Sequence, residues 1–325
     1  MFNVNYLSLK QKYRQMTEAL IKEKINQLRI KKNAVILAHY YQMPEIQDIA
    51  DFVGDSLDLS RKSAEIDADV IVFAGVHFMA ETAKILSPEK KVLLPDLDAG
   101  CSLADSCPVG EFRKFREQYP LHIVVSYVNT TAEIKALTDI TCTSTNALSI
   151  INSIPKEQPI IFAPDRNLGN YLNSITGRNM LLWDGACHVH EEFSLEKIMN
   201  LLQEYPQAKL IAHPECTKPV QIAADFIGST SALLKYVNDD NAKEYVVATE
   251  SGILHQMKRQ NPNKIFIPGP PIDSTCGCND CKFMKMHNLQ KIYESLRDDK
   301  YEIKLGKEIV SKAGKPIRRM LELSM

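Results

Sequence analysis

Residues 34–101 contain three short apolar stretches: AVILAHYY (34–41), DVIVFAG (69–75) and KVLLPDLDAGC (91–101). They are separated by segments with helical patterns. Short runs rich in Val, Ile and Leu that alternate with helical segments are typical of parallel sheets with helices on both faces. The stretch therefore predicts a β-α-β-α-β unit, and it decides the fold because the rest of the chain repeats it.

The same unit occurs twice more. The second set is LHIVVSYVN (121–129), PIIFAPD (159–165) and NMLLWDGAC (179–187), and the third is AKLIAHPEC (208–216), EYVVATESG (244–252) and NKIFIPGPP (263–271). Such internal repetition indicates one α/β domain used three times. The predicted parts are a helical lead-in (1–33), a first domain (34–118), a second domain (119–206) and a third domain (207–325) whose C-terminal helices are expected to pack back on the first.

The composition fits several globular domains that act on small molecules. The chain has 325 residues with 45% apolar content, which suffices for two or three domains with real cores. Its formal net charge is −1, so no strong field favours nucleic acid or membrane partners. The polar start lacks the apolar region of a signal peptide, and there is no long apolar run. A cytoplasmic protein is expected.

Polar side chains recur at the ends of the three first strands. The pairs are His39 and Tyr41, Tyr127 and Asn129, and His213 and Glu215. Seventeen residues after the first member of each pair stands a hydroxyl: Ser56, Ser144 and Thr230. Each hydroxyl opens a helical segment and would make a good N-cap. Its recurrence at one spacing favours a further role.

These strand ends and helix starts predict a binding pocket. Helix N-termini bind anions through free N–H groups, and ligands of open α/β sheets lie at the carboxyl ends of the strands. Three such ends that converge on one pocket would hold a small molecule with several negative charges. Carboxylates and a phosphate are the natural candidates.

Cysteines follow the third strand of each unit. Cys101 and Cys187 come just after the first two, and Cys276, Cys278 and Cys281 come after the last. Cytosolic thiols are normally reduced, so a metal centre is favoured over disulfides. Three thiolates leave one coordination position free, which suits a [4Fe–4S] cluster or a catalytic zinc ion equally well. The distance from the preceding hydroxyl favours Cys276 as the third ligand.

Motifs spread from about residue 36 to about residue 290 resemble those of quinolinate synthase. They are AHYYQ, VGDS, DAGCSLAD, SYVNT, CTSTNA, WDGACHVH, HPEC, GST and CNDCKFMKM. The resemblance implies an α/β fold of three homologous three-layer α/β/α domains with short parallel sheets, related by a pseudo-threefold axis around a central active site. It also implies a [4Fe–4S] cluster on three cysteines.

The resemblance further implies a reaction and its partners. The family is a condensing and dehydrating transferase of NAD (pyridine nucleotide) biosynthesis. It condenses iminoaspartate with dihydroxyacetone phosphate to give quinolinate, phosphate and water. An L-aspartate oxidase or an aspartate dehydrogenase would supply the iminoaspartate.

By motif, the resemblance selects Cys101, Cys187 and Cys281 as cluster ligands. Lys282 stands where the family usually has Pro after the last of them. Cys276 and Cys278 are then spare, and in some family members such a pair forms a redox-sensitive disulfide.

Roles for the remaining residues follow from the chemistry of these substrates. Glu215 is expected to act as general base or acid, and the tyrosines and Asn129 would position the triose and move protons. His39 and His213 would donate hydrogen bonds to carboxylates. The anions would be held by four hydroxyls: Ser56, Ser144, Ser229 and Thr230. The predicted catalytic residues are Glu215, Tyr41, His39 and Tyr127.

Other protein classes compete with this interpretation. An electron-transfer protein would need a fourth ligand and no anion pocket, and an iron–sulfur redox sensor would need a partner surface. A zinc-dependent aldolase or hydrolase differs only in its metal. His188 and His190 are expected to be hydrogen-bond partners near the site or surface residues. Three further cysteines are expected to be packed thiols: Cys107, Cys142 and Cys216.

Overall fold

The computed structural model of the protein describes residues 2–273 and 279–324, with side chains from residue 16 onward. Cys276 and Cys278 lie outside the described residues. The described chain forms three four-stranded parallel sheets, and in each sheet the second strand of the repeat stands at one edge, followed by the first, the third and the fourth. The strands are β1 (Ala34–His39), β2 (Phe52–Gly54), β3 (Val70–Ala74), β4 (Lys91–Leu93), β5 (Ile123–Tyr127), β6 (Ile140–Cys142), β7 (Ile160–Ala163), β8 (Leu181–Leu182), β9 (Lys209–Ala212), β10 (Phe226–Ile227), β11 (Glu244–Ala248) and β12 (Ile265–Pro268). The predicted fold class is confirmed.

Each sheet contains a short strand that the sequence pattern does not reveal. The predicted unit has three strands, whereas β2, β6 and β10 add a fourth to each sheet. Two or three residues are too few to display an alternation of apolar and polar side chains. An Asp directly before each short strand accepts a hydrogen bond from the backbone N–H of the neighbouring first strand. The pairs are Asp51 with Ile36, Asp139 with Val124 and Asp225 with Leu210, each at 2.8 Å.

Helices connect the strands and cover the sheets. They are α1 (Phe2–Lys31), α2 (Pro44–Gln47), α3 (Ser56–Glu65), α4 (His77–Leu86), α5 (Ser102–Asp105), α6 (Val109–Glu117), α7 (Ala132–Lys135), α8 (Ala147–Asn152), α9 (Arg166–Thr176), α10 (His188–Glu191), α11 (Leu195–Glu204), α12 (Lys218–Ala223), α13 (Thr230–Asp239), α14 (Ile253–Gln260), α15 (Leu289–Asp298) and α16 (Lys307–Glu322). A 3₁₀ turn spans Met284–Met286. None of the described helices has the length and apolar character that a membrane crossing requires.

The first sheet has apolar side chains on both faces, which makes three layers. On one face Ile36 packs with Ile25 of α1 and Ile292 of α15. On the other face Ile71 packs with Ala83 of α4. All five side chains are at most 2% exposed, so both faces are dry cores whose burial stabilises the fold.

The last helix lies between the first two repeats. Ile317 of α16 belongs to an apolar cluster with Ile85 of α4 and Ala132 of α7. This packing fixes α7, which follows the end of β5. The boundaries at residues 33, 118 and 206 stay predictions.

Candidate active site

The carboxyl ends of the three sheets meet at one cavity. Twelve predicted site residues line it: His39, Tyr41, Ser56, Cys101, Tyr127, Asn129, Ser144, Cys187, His213, Glu215, Thr230 and Cys281. Ser229 is the predicted residue that does not. The folding of three repeats around one point thus brings together side chains that are far apart in the chain.

The two histidines at strand ends are held in the same way. The backbone N–H of Tyr41 donates to His39 Nδ1 at 3.2 Å, and that of Glu215 donates to His213 Nδ1 at 3.3 Å. Each neutral ring therefore carries its proton on Nε2, and His213 Nε2–H lies 3.2 Å from Ser144 Oγ as a donor. Burial lowers the pKa of His39 to about 4 and that of His213 to about 3, so both rings are neutral at pH 7.

Glu215 is the centre of the polar network. Its side chain is buried, and the Tyr127 hydroxyl donates to Oε1 at 2.6 Å. His190 Nδ1 lies 3.1 Å from Oε2. Burial alone would raise the pKa of Glu215, but electrostatic attraction to the neighbouring His213 and His190 rings and these hydrogen bonds outweigh it and lower the pKa to about 2. Glu215 is therefore a carboxylate at neutral pH.

A second line of hydrogen bonds leads from His190 to Tyr41. His190 Nε2 lies 3.0 Å from Thr249 Oγ1, and that hydroxyl lies 2.8 Å from the Tyr41 hydroxyl. The Tyr41 hydroxyl in turn lies 2.9 Å from Thr230 Oγ1. The sequence predicts His190 as a hydrogen-bond partner near the site or as a surface residue, and the structure places it inside this network. The sequence gives Thr249 no such role. The position of His190 three residues after Cys187 is the one local signal for it.

The N-cap explanation of the three recurrent hydroxyls is wrong. Asp55 caps α3, so Ser56 is the first residue inside that helix. Ser229 caps α13, so Thr230 is likewise inside. Ser144 precedes α8 by more than one residue. Because capping does not use these hydroxyls, they are available to the cavity.

Ser229 has a structural contact instead of a place in the cavity. Its hydroxyl accepts from Ala232 N at 3.2 Å as the cap of α13. The Thr145 hydroxyl lies 2.8 Å from Ser229 Oγ and 2.6 Å from Asp55 Oδ2. These three residues come from three different repeats, so the contact joins the repeats beside the cavity.

Buried carboxyl groups bind the backbone N–H groups of two of the three cysteines, and burial raises the pKa of Asp165 to about 8. Asp165 Oδ2 accepts from Cys187 N at 2.8 Å, and Glu250 Oε1 accepts from Cys281 N at 3.1 Å. The two carboxyl groups stand at equivalent places, two residues after β7 and two residues after β11. Lys285 Nζ lies 2.8 Å from Glu250 Oε1 and neutralises that charge.

The three cysteine side chains are partly buried. Burial raises the pKa of the Cys101 thiol to about 12, and it also raises the pKa of Cys187 and of Cys281. Without a metal these groups are neutral thiols, and metal binding would displace their protons. Among the described residues, only Cys187, His190 and Glu215 offer three ligand atoms that all lie within 4.8 Å of one another. Among the sulfur atoms of Cys101, Cys187 and Cys281, at least one pair is therefore separated by more than 4.8 Å.

The neutral state of His39 predicts a pH effect on stability. In the unfolded chain His39 binds a proton below about pH 6.5, whereas burial prevents this in the folded protein down to about pH 4. Stability is therefore lost as pH falls from 6.5 towards 4, by about 2 kcal/mol at pH 5. His39→Gln removes this contribution.

Urea unfolding of the metal-free protein at pH 7 and pH 5 measures the effect. The variant is expected to lose about 2 kcal/mol less than the wild type between the two pH values. Equal losses in both proteins would contradict a neutral His39.

Comparisons with known proteins agree with the motif resemblance. Residues 23–322 match the family model described as NadA, quinolinate synthetase A protein. The chain is 59% identical over 300 residues to the quinolinate synthase of Thermosynechococcus vestitus, covering 92% of this chain and 94% of that protein. It is 59% identical to that of Trichormus variabilis, covering 92% of each chain. It is 56% identical over 302 residues to that of Chloroherpeton thalassium, covering 93% and 94%. The chain therefore belongs to the quinolinate synthase family of enzymes.

Proposed function

We propose that this chain condenses iminoaspartate with dihydroxyacetone phosphate to quinolinate, phosphate and water, with a [4Fe–4S] cluster on Cys101, Cys187 and Cys281. One observation carries the proposal. Three cysteines from three repeats line the same cavity as the recurrent hydroxyls, histidines and Glu215. A metal centre and a pocket for a small anion thus share one space.

The cysteines fit a cluster better than a single ion. A tetrahedral zinc ion with Zn–S bonds of about 2.3 Å needs sulfurs about 3.8 Å apart. At least one pair of these sulfurs is more than 4.8 Å apart, which suits ligands on different iron atoms. The apolar side chains of Phe78, Met79 and Met284 line the same cavity, and they would shield a bound cluster from water. When bound, the cluster would supply an open iron as Lewis acid.

Anion binding at this site relies on neutral donors. None of the described side chains that line the cavity belongs to Arg or Lys. Ser56 and Thr230 begin α3 and α13, so their hydroxyls and their own backbone N–H groups, which the caps Asp55 and Ser229 do not bind, are the donors for carboxylate or phosphate. His39 Nε2–H adds a further neutral donor. The buried Asn129 Oδ1 has no hydrogen-bond partner, which leaves it to a substrate hydroxyl.

Glu215 is the proton acceptor in this proposal. It accepts protons from the substrate directly or through Tyr127, whose hydroxyl already donates to it. The Tyr41 hydroxyl is held beside the same cavity by the series of hydrogen bonds that joins His190, Thr249, Tyr41 and Thr230. Tyr41 then orients the triose and passes protons between substrate oxygens.

The source of substrate and the place of action belong to the same proposal. Iminoaspartate is an oxidised form of aspartate, so an L-aspartate oxidase or an aspartate dehydrogenase is the expected supplier. A cytoplasmic location fits an enzyme whose cysteines must stay reduced to bind the cluster.

A zinc enzyme is the competing candidate, and one observation favours it. Cys187, His190 and Glu215 offer a sulfur, a nitrogen and an oxygen within 4.8 Å, which is a set that zinc accepts. A zinc-dependent aldolase or hydrolase would use this trio and not the three cysteines.

Anaerobic purification followed by iron, sulfide and zinc analysis tests the proposal. About four irons and four sulfides per chain are expected, together with broad visible absorption. The same preparation should form quinolinate from the two substrates. One zinc per chain without labile sulfide, and no quinolinate, would instead favour the zinc enzyme.

A further inference from the structure

Three buried side chains occupy the same place in the three repeats. Gln47 ends α2, Lys135 ends α7, and Gln221 lies in α12. Each stands eight residues after the first polar residue of its strand end, that is after His39, Tyr127 and His213. They are 2%, 0% and 8% exposed, respectively. Burial of polar ends at one repeated position calls for a shared partner.

The shared partner is the backbone of the strand end. Gln47 Nε2 donates to Tyr40 O at 2.9 Å and to Gln42 O at 2.8 Å. Gln221 Nε2 donates to Pro214 O at 2.8 Å and to Cys216 O at 2.7 Å.

The second repeat makes the same contact with a different donor. Lys135 Nζ donates to Val128 O at 2.8 Å and also to Thr130 O. An ammonium group thus replaces the amide of the other two repeats. In all three repeats the donor bridges the carbonyls on either side of one residue.

The bridged residue is in each case a side chain of the cavity. Gln47 bridges the carbonyls beside Tyr41, Lys135 those beside Asn129, and Gln221 those beside Glu215. The first carbonyl belongs to the peptide that precedes the bridged residue, and the second belongs to the peptide that follows the next residue. One donor on the helix side therefore holds the short segment that contains the bridged residue at both ends. Its side chain is then directed to the cavity, where all three are found.

We propose that Gln47, Lys135 and Gln221 are positioning residues that direct Tyr41, Asn129 and Glu215 to the substrate. The kinetic part of this inference rests on the proposed function. A role in stability alone would reduce the melting temperature and leave the kinetic constants of the folded enzyme unchanged. A positioning role makes each variant copy the kinetic defect of the residue that it directs.

Lys135 offers the sharpest test because the other two repeats have Gln at the equivalent position, which makes Gln its natural conservative replacement. Lys135→Met keeps the length and removes the donors. It leaves the Thr130 carbonyl without this donor, whereas Val128 O keeps its bond from Thr130 N. We expect both Lys135→Met and Asn129→Ala to raise KM about tenfold, with a smaller change in kcat. Lys135→Gln restores an amide donor and is expected to recover most of the loss. Lys114→Met, at an exposed site in α6, is the matched control.

A double variant tests whether Lys135 acts through Asn129. If it does, Lys135→Met adds little to the defect of Asn129→Ala, whereas independent roles would multiply the two effects. Multiplied effects would overturn the proposal, and so would wild-type kcat and KM in Lys135→Met enzyme with full iron and sulfide content.

For Gln221 the proposal predicts a defect in kcat and not in KM. Gln221→Met is expected to lower kcat about tenfold with KM nearly unchanged, because Glu215 moves protons. Gln203→Met, exposed in α11, is the control. An effect of Gln221→Met on KM alone would contradict the assignment.

Hydrogen–deuterium exchange separates this inference from the proposed function because it needs no substrate. In Lys135→Met the amides of residues 128–131 should exchange faster, while those of Glu215 and Cys216 should not change. In Gln221→Met the pattern should be reversed. Unchanged exchange in both variants would overturn the bridging role, whereas failure of the wild type to form quinolinate would overturn only the proposed function.

Discussion

Glu215→Gln is expected to lower the kcat for quinolinate formation by about 10²- to 10⁴-fold, the usual contribution of a general base. The amide keeps the size of the side chain and removes the charge that Tyr127 and His190 contact. Iron and sulfide content should stay near the wild-type values, since Glu215 is not among the proposed cluster ligands. The measurement is steady-state kinetics on anaerobically purified enzyme with known iron content.

Two further variants define the result. Glu204→Gln, exposed at the end of α11, should have wild-type kinetics. Glu215→Asp keeps the charge but shortens the side chain by one methylene group, so a rate between those of the wild type and Glu215→Gln is expected. Wild-type turnover in Glu215→Gln with a full cluster would remove Glu215 from the proton-transfer role. Loss of the cluster in Glu215→Gln would point instead to the Cys187, His190 and Glu215 trio as a metal site.

Cys101→Ala, Cys187→Ala and Cys281→Ala are each expected to lose most of the bound iron, from about four per chain in the wild type to less than one. Each substitution removes one of only three proposed protein ligands, and quinolinate formation should fall below detection with the metal. The measurement is iron and sulfide analysis with a visible spectrum after anaerobic purification.

The chain offers matched controls for these substitutions. Cys107 is buried in a separate apolar cluster with Phe112, so Cys107→Ala should keep its iron. Cys276→Ala should keep it as well, because the motif places the ligand at Cys281. If Cys276→Ala lost the cluster and Cys281→Ala retained it, the spacing of the repeat and not the motif would identify the third ligand.

Much of this architecture can be predicted from the sequence because the same β-α-β-α-β unit occurs in it three times. One weak strand pattern proves little, but His39, Tyr127 and His213 at equivalent strand ends support one another. Parallel strands place their carboxyl ends at one edge of a sheet, so each polar tip is predicted at the ligand-binding edge of its own sheet. The three sheets confirm this part of the prediction.

Other features are local but too short or too ambiguous to be predicted. The strands β2, β6 and β10 are too short to show a period of apolar and polar residues. Each follows an Asp whose side chain accepts a hydrogen bond from the first strand of its sheet. The hydroxyls at 56 and 230 were predicted as possible caps, yet Asp55 and Ser229 took that role. Adjacent polar residues compete for the cap, and backbone geometry at the helix start selects between them.

The sequence by itself determined the repeated α/β unit, the polar strand ends and the cysteines after the third strands. These follow from side-chain periodicity and from spacing along the chain. Only the tertiary structure decided that Ser229 joins repeats, that His190 and Thr249 complete the network, and that Gln47, Lys135 and Gln221 hold the strand ends. Each of these depends on the direction of a side chain across a contact between distant segments, and packing sets that direction.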